Sequence, residues 1–321
     1  MAERYTVDQV CDFLRANDDF IILTHVSPDG DTLGSACALA LALKELGKKV
    51  KIRCGDAIPA KYDFLFENLC QDDIDNGTIV AVDVATEKLL GNLWEEYGEK
   101  VDLCIDHHIS NTEYAKRLLL DSDAAAACEI IYLVVKHLGC HQITSVGAAI
   151  YTGISTDTGG FRFSNTTART HAIAAEIMVS GGVDCAEISR VMFECKTRSQ
   201  LAVENYVLSR IKYFFGGKCA VISVPRSVRR KFGCKEDEID AVAAASRSIE
   251  GVLVGITLKQ KDDGTVKASV RTYHPVDAAA ICKRLGGGGH VRAAGCTLGN
   301  TISLSRRRIL KAVKAELEAQ N

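Results

Sequence analysis

The strongest constraint on the fold of this chain is a unit that recurs in its first half. A short, unbroken apolar run is followed by a segment of helical length. "FIILTH" (20–25) leads into "TLGSACALALALKELG" (32–47), which gives way to "KKVKIRC" (48–54). "GTIVAVDVA" (77–85) leads into "TEKLLGNLWEEYG" (86–98), and "VDLCIDHH" (101–108) follows. A strand with one wet face alternates apolar and polar residues, whereas a strand apolar throughout is buried on both faces. Such strands alternating with helices predict an α/β fold: a mostly parallel sheet with helices on both faces. An amphipathic helix over 7–16, "VDQVCDFLRA", precedes the first strand.

With 321 residues the chain has room for two domains. From about residue 124 to 195 the pattern is mainly helical, with stops at Gly139 and at Gly181-Gly182. Helix is expected to continue over 189–215 through a polar break at 196–199, and residues 191–215 read as a connector. From Gly216 the character changes. "KCAVISVP" (218–225) reads as a strand and 238–251 as a helix. "VLVGITLKQKDDGTVKASVRT" (252–272) reads as a hairpin turning at Asp262-Asp263-Gly264. A helix over 276–285, a glycine run at 286–289 and a last helix over roughly 304–319 complete it. The expected division is an α/β domain over 1–190, the connector, and a smaller α+β domain over 216–321.

A net charge of −2 provides no broad basic footprint of the kind that long nucleic-acid tracks require. Apolar runs such as "ACALALAL" (36–43) are too short to cross a bilayer, and the first residues lack a signal-peptide pattern. The chain is therefore expected in the cytoplasm and away from membranes. None of its 13 cysteines forms a C-x-x-C pair, and most lie within apolar segments. They read as free, buried thiols of a reducing compartment rather than zinc ligands or disulfides.

In parallel α/β sheets, functional groups gather at the carboxyl ends of strands. The first strand delivers His25, Asp29 and Asp31, the second Asp83, and the third Asp106, His107 and His108. Asp157, in "GISTDTGG", stands at a glycine-marked helix end. Taken singly, each has an ordinary structural reading: Asp29 and Asp31 as turn or cap residues, Asp83 as a strand-end cap, a lone histidine as a hydrogen-bonded one. Asp29 and Asp31, however, are separated only by Gly30, and like charges so close need a metal ion, a basic side chain or solvent between them. Together the imidazoles and carboxylates form the ligand set of hard or intermediate divalent ions. Mn²⁺ and Mg²⁺ fit, as do Fe²⁺ and Co²⁺, whereas a nitrogen-and-sulfur zinc site does not. Two ions about 3.5–4 Å apart need a bridging carboxylate, a role that suits Asp83.

"THVSPDGDTLGS", "AVDVA", "IDHHIS" and "YTGISTDTGG" resemble, in order, the four signature motifs of the DHH phosphoesterase superfamily. "GGGGHVRAAG" (286–295) resembles the glycine-rich motif of the DHH-associated C-terminal domain, so the resemblance covers nearly the whole chain. It implies one metal ion on His25, Asp29 and Asp83, and a second on Asp31, Asp83, His107 and Asp157. It implies that His108 faces the substrate as phosphate contact and general acid, and that Asp106 orients the histidines. In the second domain it implies substrate binding by Arg271, Gly288, Gly289 and His290. Glycines there let backbone N–H groups approach an anion, and a guanidinium grips phosphate.

The chain most resembles the short two-domain branch of the superfamily. That branch implies a two-metal (Mn²⁺) exonuclease acting on short single-stranded RNA, which also removes the 3′-phosphate from 3′-phosphoadenosine 5′-phosphate. Hydrolysis of cyclic di-AMP or linear di-adenylate is the alternative on the same scaffold. An inorganic pyrophosphatase is disfavoured by the "GGGGH" ending. A non-catalytic nucleotide-binding regulator would show a lost metal ligand, and all six positions are filled. Assembly as a homodimer is left open.

Overall fold

The computed structural model describes residues 2–180, 182–235, 248–299 and 301–320, together with Ile239, Ala245 and Ser246. The chain divides into two units, Met1–Cys195 and Lys196–Asn321. The N-terminal unit runs β1 (Glu3–Arg4), α1 (Val7–Ala16), β2 (Phe20–Thr24), α2 (Gly30–Glu45), β3 (Val50–Cys54) and β4 (Thr78–Val82). It continues through α3 (Leu93–Tyr97), β5 (Leu103–Asp106), β6 (Arg117–Leu120), α4 (Ala127–His137), α5 (Thr144–Asp157), α6 (Ala168–Ser180) and α7 (Cys185–Ser189). Its strands lie in the order β1-β6-β5-β4-β2-β3, and every neighbouring pair is parallel.

The apolar strands are buried on both faces. Phe20 and Ile22 of β2 enter one core with Val80 and Val82 of β4, against α1, α2, α4 and α5. Ile21 and Leu23 enter the opposite core with Ile79 and Ala81, under Leu90, Leu93 and Tyr97. A fully buried side chain of this size contributes about 1.5–3 kcal/mol, so the central strands form a rigid base for a charged rim. The chain leaves β2 toward β3, then returns to place β4 on the other side of β2. That reversal opens a crevice at the carboxyl ends of β2 and β4. A Cβ at Gly34 would stand 2.4 Å from the Ala149 carbonyl oxygen, so α2 and α5 pack backbone against backbone. Close packing draws Asp31 at the start of α2 toward Asp157 at the end of α5.

The C-terminal unit comprises α8 (Arg198–Leu208), β7 (Lys212–Phe214), β8 (Cys219–Val224), α9 (Arg226–Phe232), β9 (Val254–Gln260) and β10 (Val266–Thr272), then α10 (Ala278–Lys283), β11 (Gly288–His290), β12 (Ala293–Leu298) and α11 (Ile302–Glu318). Its mixed sheet has the order β11-β12-β10-β9-β8-β7, with β8 and β9 parallel and the other pairs antiparallel. α10 and α11 cover one face, and α8 and α9 cover the other beneath β8.

Several expectations need correction. The helix expected over 86–98 is interrupted: a 3₁₀ turn, Glu87–Leu90, ends where Gly91 takes φ +57°, and only Leu93–Tyr97 is α-helical. Helix does not continue to residue 215, because α8 ends at Leu208 and Lys212–Phe214 pairs with β8. The short strands β1 and β6 lack the length for a period to show. Part of the glycine run is the strand β11, paired to β12. Half of the helix expected over 238–251 lies outside the described residues, and residues 248–251 are bend and turn rather than helix. All thirteen cysteines are free and ten are buried. Among the described residues, no helix is long and apolar enough to cross a membrane.

Candidate metal centre and active site

Each charged group on the rim is placed by the end of a regular element. His25 is the residue after β2, and its ring is held through Nδ1 by the Val26 carbonyl at 2.9 Å. Asp29 is the N-cap of α2, its Oδ1 accepting from the N–H groups of Asp31 and Thr32 at 3.0 and 3.2 Å. Asp31, fully buried, accepts from the N–H groups of Ala127 and Cys128 at 2.6 and 2.9 Å. It thereby supplies the cap that α4 lacks, since its own N-cap residue is Ala126. Asp83 follows β4 in a left-handed conformation, φ +57°, which aspartate tolerates better than most residues.

Around these groups the donor atoms converge. His25 Nε2 lies 3.6 Å from Asp29 Oδ1 and 3.6 Å from Asp83 Oδ2. His107 Nε2 lies 3.6 Å from the other oxygen of Asp83, 3.8 Å from Asp31 Oδ2 and 3.7 Å from Asp157 Oδ2. Two sets, His25–Asp29–Asp83 and Asp31–His107–Asp157, each keep their donor atoms within 4.8 Å of one another, as does Asp83–His107–His108. Asp83 thus turns one oxygen toward each imidazole.

Divalent cations fit this arrangement. Donors bonded to one ion at about 2.1 Å stand about 3 Å apart at right angles and about 4.2 Å apart when opposed. Separations of 3.6–3.8 Å fall between those limits and are too long for good hydrogen bonds. Asp83 Oδ1 is buried without any hydrogen-bond partner, although its residue is only 3% exposed. Burial and then the Asp31 charge push the Asp83 carboxyl well above the ordinary carboxylate range. Burial and Asp31 also push Asp157 up to about 8. Burial alone would lower the His25 imidazole, but Asp29 and Asp83 outweigh it and hold it at about 11. In the absence of cations this rim retains protons in their place. The donors are oxygen and imidazole nitrogen, the set that suits Mn²⁺ and Mg²⁺.

Asp106 is fully buried at the end of β5. Its Oδ1 accepts from His108 Nδ1 at 2.8 Å and from the His107 backbone N–H at 2.8 Å, and its Oδ2 from Asn111 Nδ2 at 2.6 Å. Against the upward push of burial, these partners hold its carboxyl below the ordinary range. It therefore orients the ring of His108 directly, and touches His107 only through the backbone. The His107 ring is held by the Ala124 carbonyl, 3.1 Å from Nδ1. Asn111 and the carbonyls of Val26 and Ala124 were not foreseen. Asn111 stood in the motif-flanking "IDHHISN", whereas backbone acceptors leave no trace in residue type.

In the C-terminal unit, Arg271, Ala293 and His290 stand opposite one another in a row across β10, β12 and β11. The alternating residues Val270 and Ala294 enter the core, so Arg271 and His290 share the face turned away from it. Gly288, Gly289 and His290 are exposed and Arg271 is half-buried. Gly289 has φ +138°, and a Cβ there would stand 2.6 Å from the Ala293 carbonyl oxygen. Glycine is required there for β11 to pair.

Fold and site together define an α/β protein with candidate divalent-cation groups at the carboxyl edge of a parallel sheet. Residues 19–154 match the DHH family, N-terminal domain, and residues 216–319 match the DHHA1 domain. The bifunctional oligoribonuclease and PAP phosphatase NrnA of Thermus thermophilus is 35% identical over 305 residues, covering 92% of this chain and 89% of the relative. Its namesake from Bacillus subtilis is 26% identical, with 88% and 90% covered. The crystal structure of an exopolyphosphatase-related protein from Bacteroides fragilis has the same fold: TM-score 0.87 at 22% identity, covering 96% of this chain and 95% of that one. This chain belongs to the DHH family and is a phosphoesterase, a hydrolase.

Proposed function

We propose that this chain hydrolyses short oligoribonucleotides to mononucleotides and removes the 3′-phosphate of 3′-phosphoadenosine 5′-phosphate, using two Mn²⁺ ions. The observation that carries this reading is Asp83: one buried carboxylate, one oxygen unpartnered, set between His25 on one side and His107 on the other. His25, Asp29 and Asp83 would hold one ion, and Asp31, Asp83, His107 and Asp157 the other. Such a pair supplies a water acidic enough to attack at neutral pH and offsets the charge of the phosphoryl oxygens.

The chain's own residues supply the rest. Asp106 engages Nδ1 of His108, which leaves Nε2 as the nitrogen that hands a proton to the departing oxygen. The His108 ring first, then Asn111 and the backbone N–H of His108, hold the Asp106 carboxyl below the ordinary range, so that it orients the ring as a carboxylate. Arg271 and His290 would bind phosphate, and the exposed backbone of Gly288 and Gly289 would let the end of a nucleotide strand approach closely. A few such contacts suit a substrate of a few nucleotides, as does the near-neutral charge of the chain. The thirteen free thiols support a reducing, cytoplasmic setting.

The test is a substrate panel with Mn²⁺: dinucleotides to pentanucleotides, 3′-phosphoadenosine 5′-phosphate, cyclic di-AMP and pyrophosphate. Release of mononucleotides from the short RNAs and of phosphate from the 3′-phosphorylated nucleotide is expected. Turnover of cyclic di-AMP alone, or of pyrophosphate alone, would overturn the assignment.

A further inference from the structure

Three of the four donors of one proposed ion, Asp31, His107 and Asp157, come from three separate elements, yet a single segment touches the elements of all three. The carbonyl of Ala124 holds the His107 ring at 3.1 Å. Three and four residues on, the N–H groups of Ala127 and Cys128 hold both oxygens of Asp31 at 2.6 and 2.9 Å. Between them, the Ala125 carbonyl accepts from Asn165 Nδ2 at 3.0 Å, and the same nitrogen donates to the backbone carbonyl of Asp157 at 3.2 Å. No comparable segment serves His25 and Asp29 among the described residues: His25 is held by its own neighbour Val26, and Asp29 caps its own helix.

The segment is closed at its ends by one side chain. Arg169 donates through Nη1 to Asp121 at 2.8 Å, and through Nε to Glu129 at 2.8 Å. Asp121 and Glu129 flank residues 124–128 on either side. Glu129 is fully buried, and its second oxygen accepts from Thr170 at 2.6 Å. A buried carboxylate with both oxygens engaged has one place to sit. Arg169 therefore fixes both ends of the segment, and Asn165 ties its middle to the end of α5.

We propose that residues 124–128 form a strap that sets the spacing of Asp31, His107 and Asp157, with Arg169 and Asn165 as its positioning residues. The proposal rests on the two-ion reading above and adds an asymmetry to it: the strap governs one ion and not the other. Neither residue belongs to the candidate cation groups or to the proposed substrate-binding set. Both act through the carbonyls, N–H groups and carboxylates they hold. Guanidinium geometry matters because a single ammonium cannot span Asp121 and Glu129 as a planar fork does.

The experiment is a Mn²⁺ titration of wild type, Asn165→Ala and Arg169→Lys, with free ion followed by its electron paramagnetic resonance signal. Wild type is expected to take up two ions. Each variant is expected to bind one ion as wild type does and the other about 10–100-fold more weakly, the usual cost of losing a partner that orients a ligand. Asn165 lies in an exposed loop, so its replacement tests the strap even if Arg169→Lys proves unstable. Wild-type affinity for both ions in the folded variants would overturn the strap, as would equal weakening of both. Fewer than two ions bound by wild type would instead overturn the two-ion reading, and the two failures are thereby told apart.

Discussion

The two units place their candidate groups by opposite means. In the N-terminal unit, charged side chains are crowded at the end of a buried sheet, where burial raises the proton affinity of Asp31, Asp83 and Asp157, and the Asp31 charge raises that of the other two further. In the C-terminal unit, the corresponding surface is an exposed strand with almost no side chains, Gly288 to His290, beside Arg271. The first site is held against its own repulsion by surrounding structure and needs cations or protons to neutralise it. The second imposes nothing of the kind and depends on the chain path alone. Loss of a charge should therefore dominate in one unit, and loss of backbone access in the other.

The largest effect should come from Asp83→Ala. A shared ion pair contributes several kcal/mol to the transition state, and about 4 kcal/mol corresponds to a rate factor of about 10³. Turnover of a dinucleotide at saturating Mn²⁺ should therefore fall by on the order of 10³-fold or more. Removing a carboxylate that is raised by burial relieves a strain, so thermal stability without metal should not fall. A variant that kept turnover near wild type, or that unfolded, would break the contrast between the units.

How far this contrast is legible in the residues themselves follows from the same physics. His25, Asp83 and His107 each come directly after a buried strand, so the apolar run that buries the strand also places the residue after it. Asp157 could be placed because glycines mark its helix end. The partners that hold these groups were hidden. Ala124 and Val26 act through carbonyls, and Arg169 reaches Glu129 and Asp121 across 40 and 48 residues of chain. Local periodicity carries no record of such distances. It also misled at 212–214, where "KYF" continues a helical pattern but pairs as β7, because an available sheet edge outweighs a weak local preference.

A sharper test of the second unit compares two adjacent glycines. At Gly289, φ is +138° and an added Cβ would meet backbone atoms of Ala293 and Ala294 at 2.6 Å. Gly289→Ala should lower the stability of the C-terminal unit by about 1–3 kcal/mol, the range for a residue forced into a sparse backbone region. At Gly288 an added Cβ meets nothing within 4 Å. Gly288→Ala should therefore leave stability unchanged, and raise KM for a dinucleotide severalfold only if substrate lies against that backbone. An unchanged KM in a fully folded Gly288→Ala variant would remove Gly288 from the substrate-binding set.

The smallest expected effect is a shift in unfolding temperature with pH, and it separates the units without any mutation. Without cations, Asp157 keeps its proton up to about pH 8, against 3.8 for an ordinary aspartate. His25 keeps its own to about 11, against 6.5. Between the ordinary and the raised values the folded protein binds more protons than the unfolded chain, so stability must fall as pH rises. Asp106 has the opposite sign, since its lowered value costs stability only as pH falls through the acidic range. The metal-free N-terminal unit should therefore unfold at a temperature that declines by a few degrees from pH 5 to pH 8, read by calorimetry in chelator. Mn²⁺ competes with those protons, so its stabilisation should grow over the same interval, toward about 2.7 kcal/mol for an ion at a hundredfold excess over its Kd. The transition of the C-terminal unit, which holds none of the donors, should not respond to Mn²⁺. A C-terminal transition that rose in parallel would mean that the cations are not held by the N-terminal rim alone.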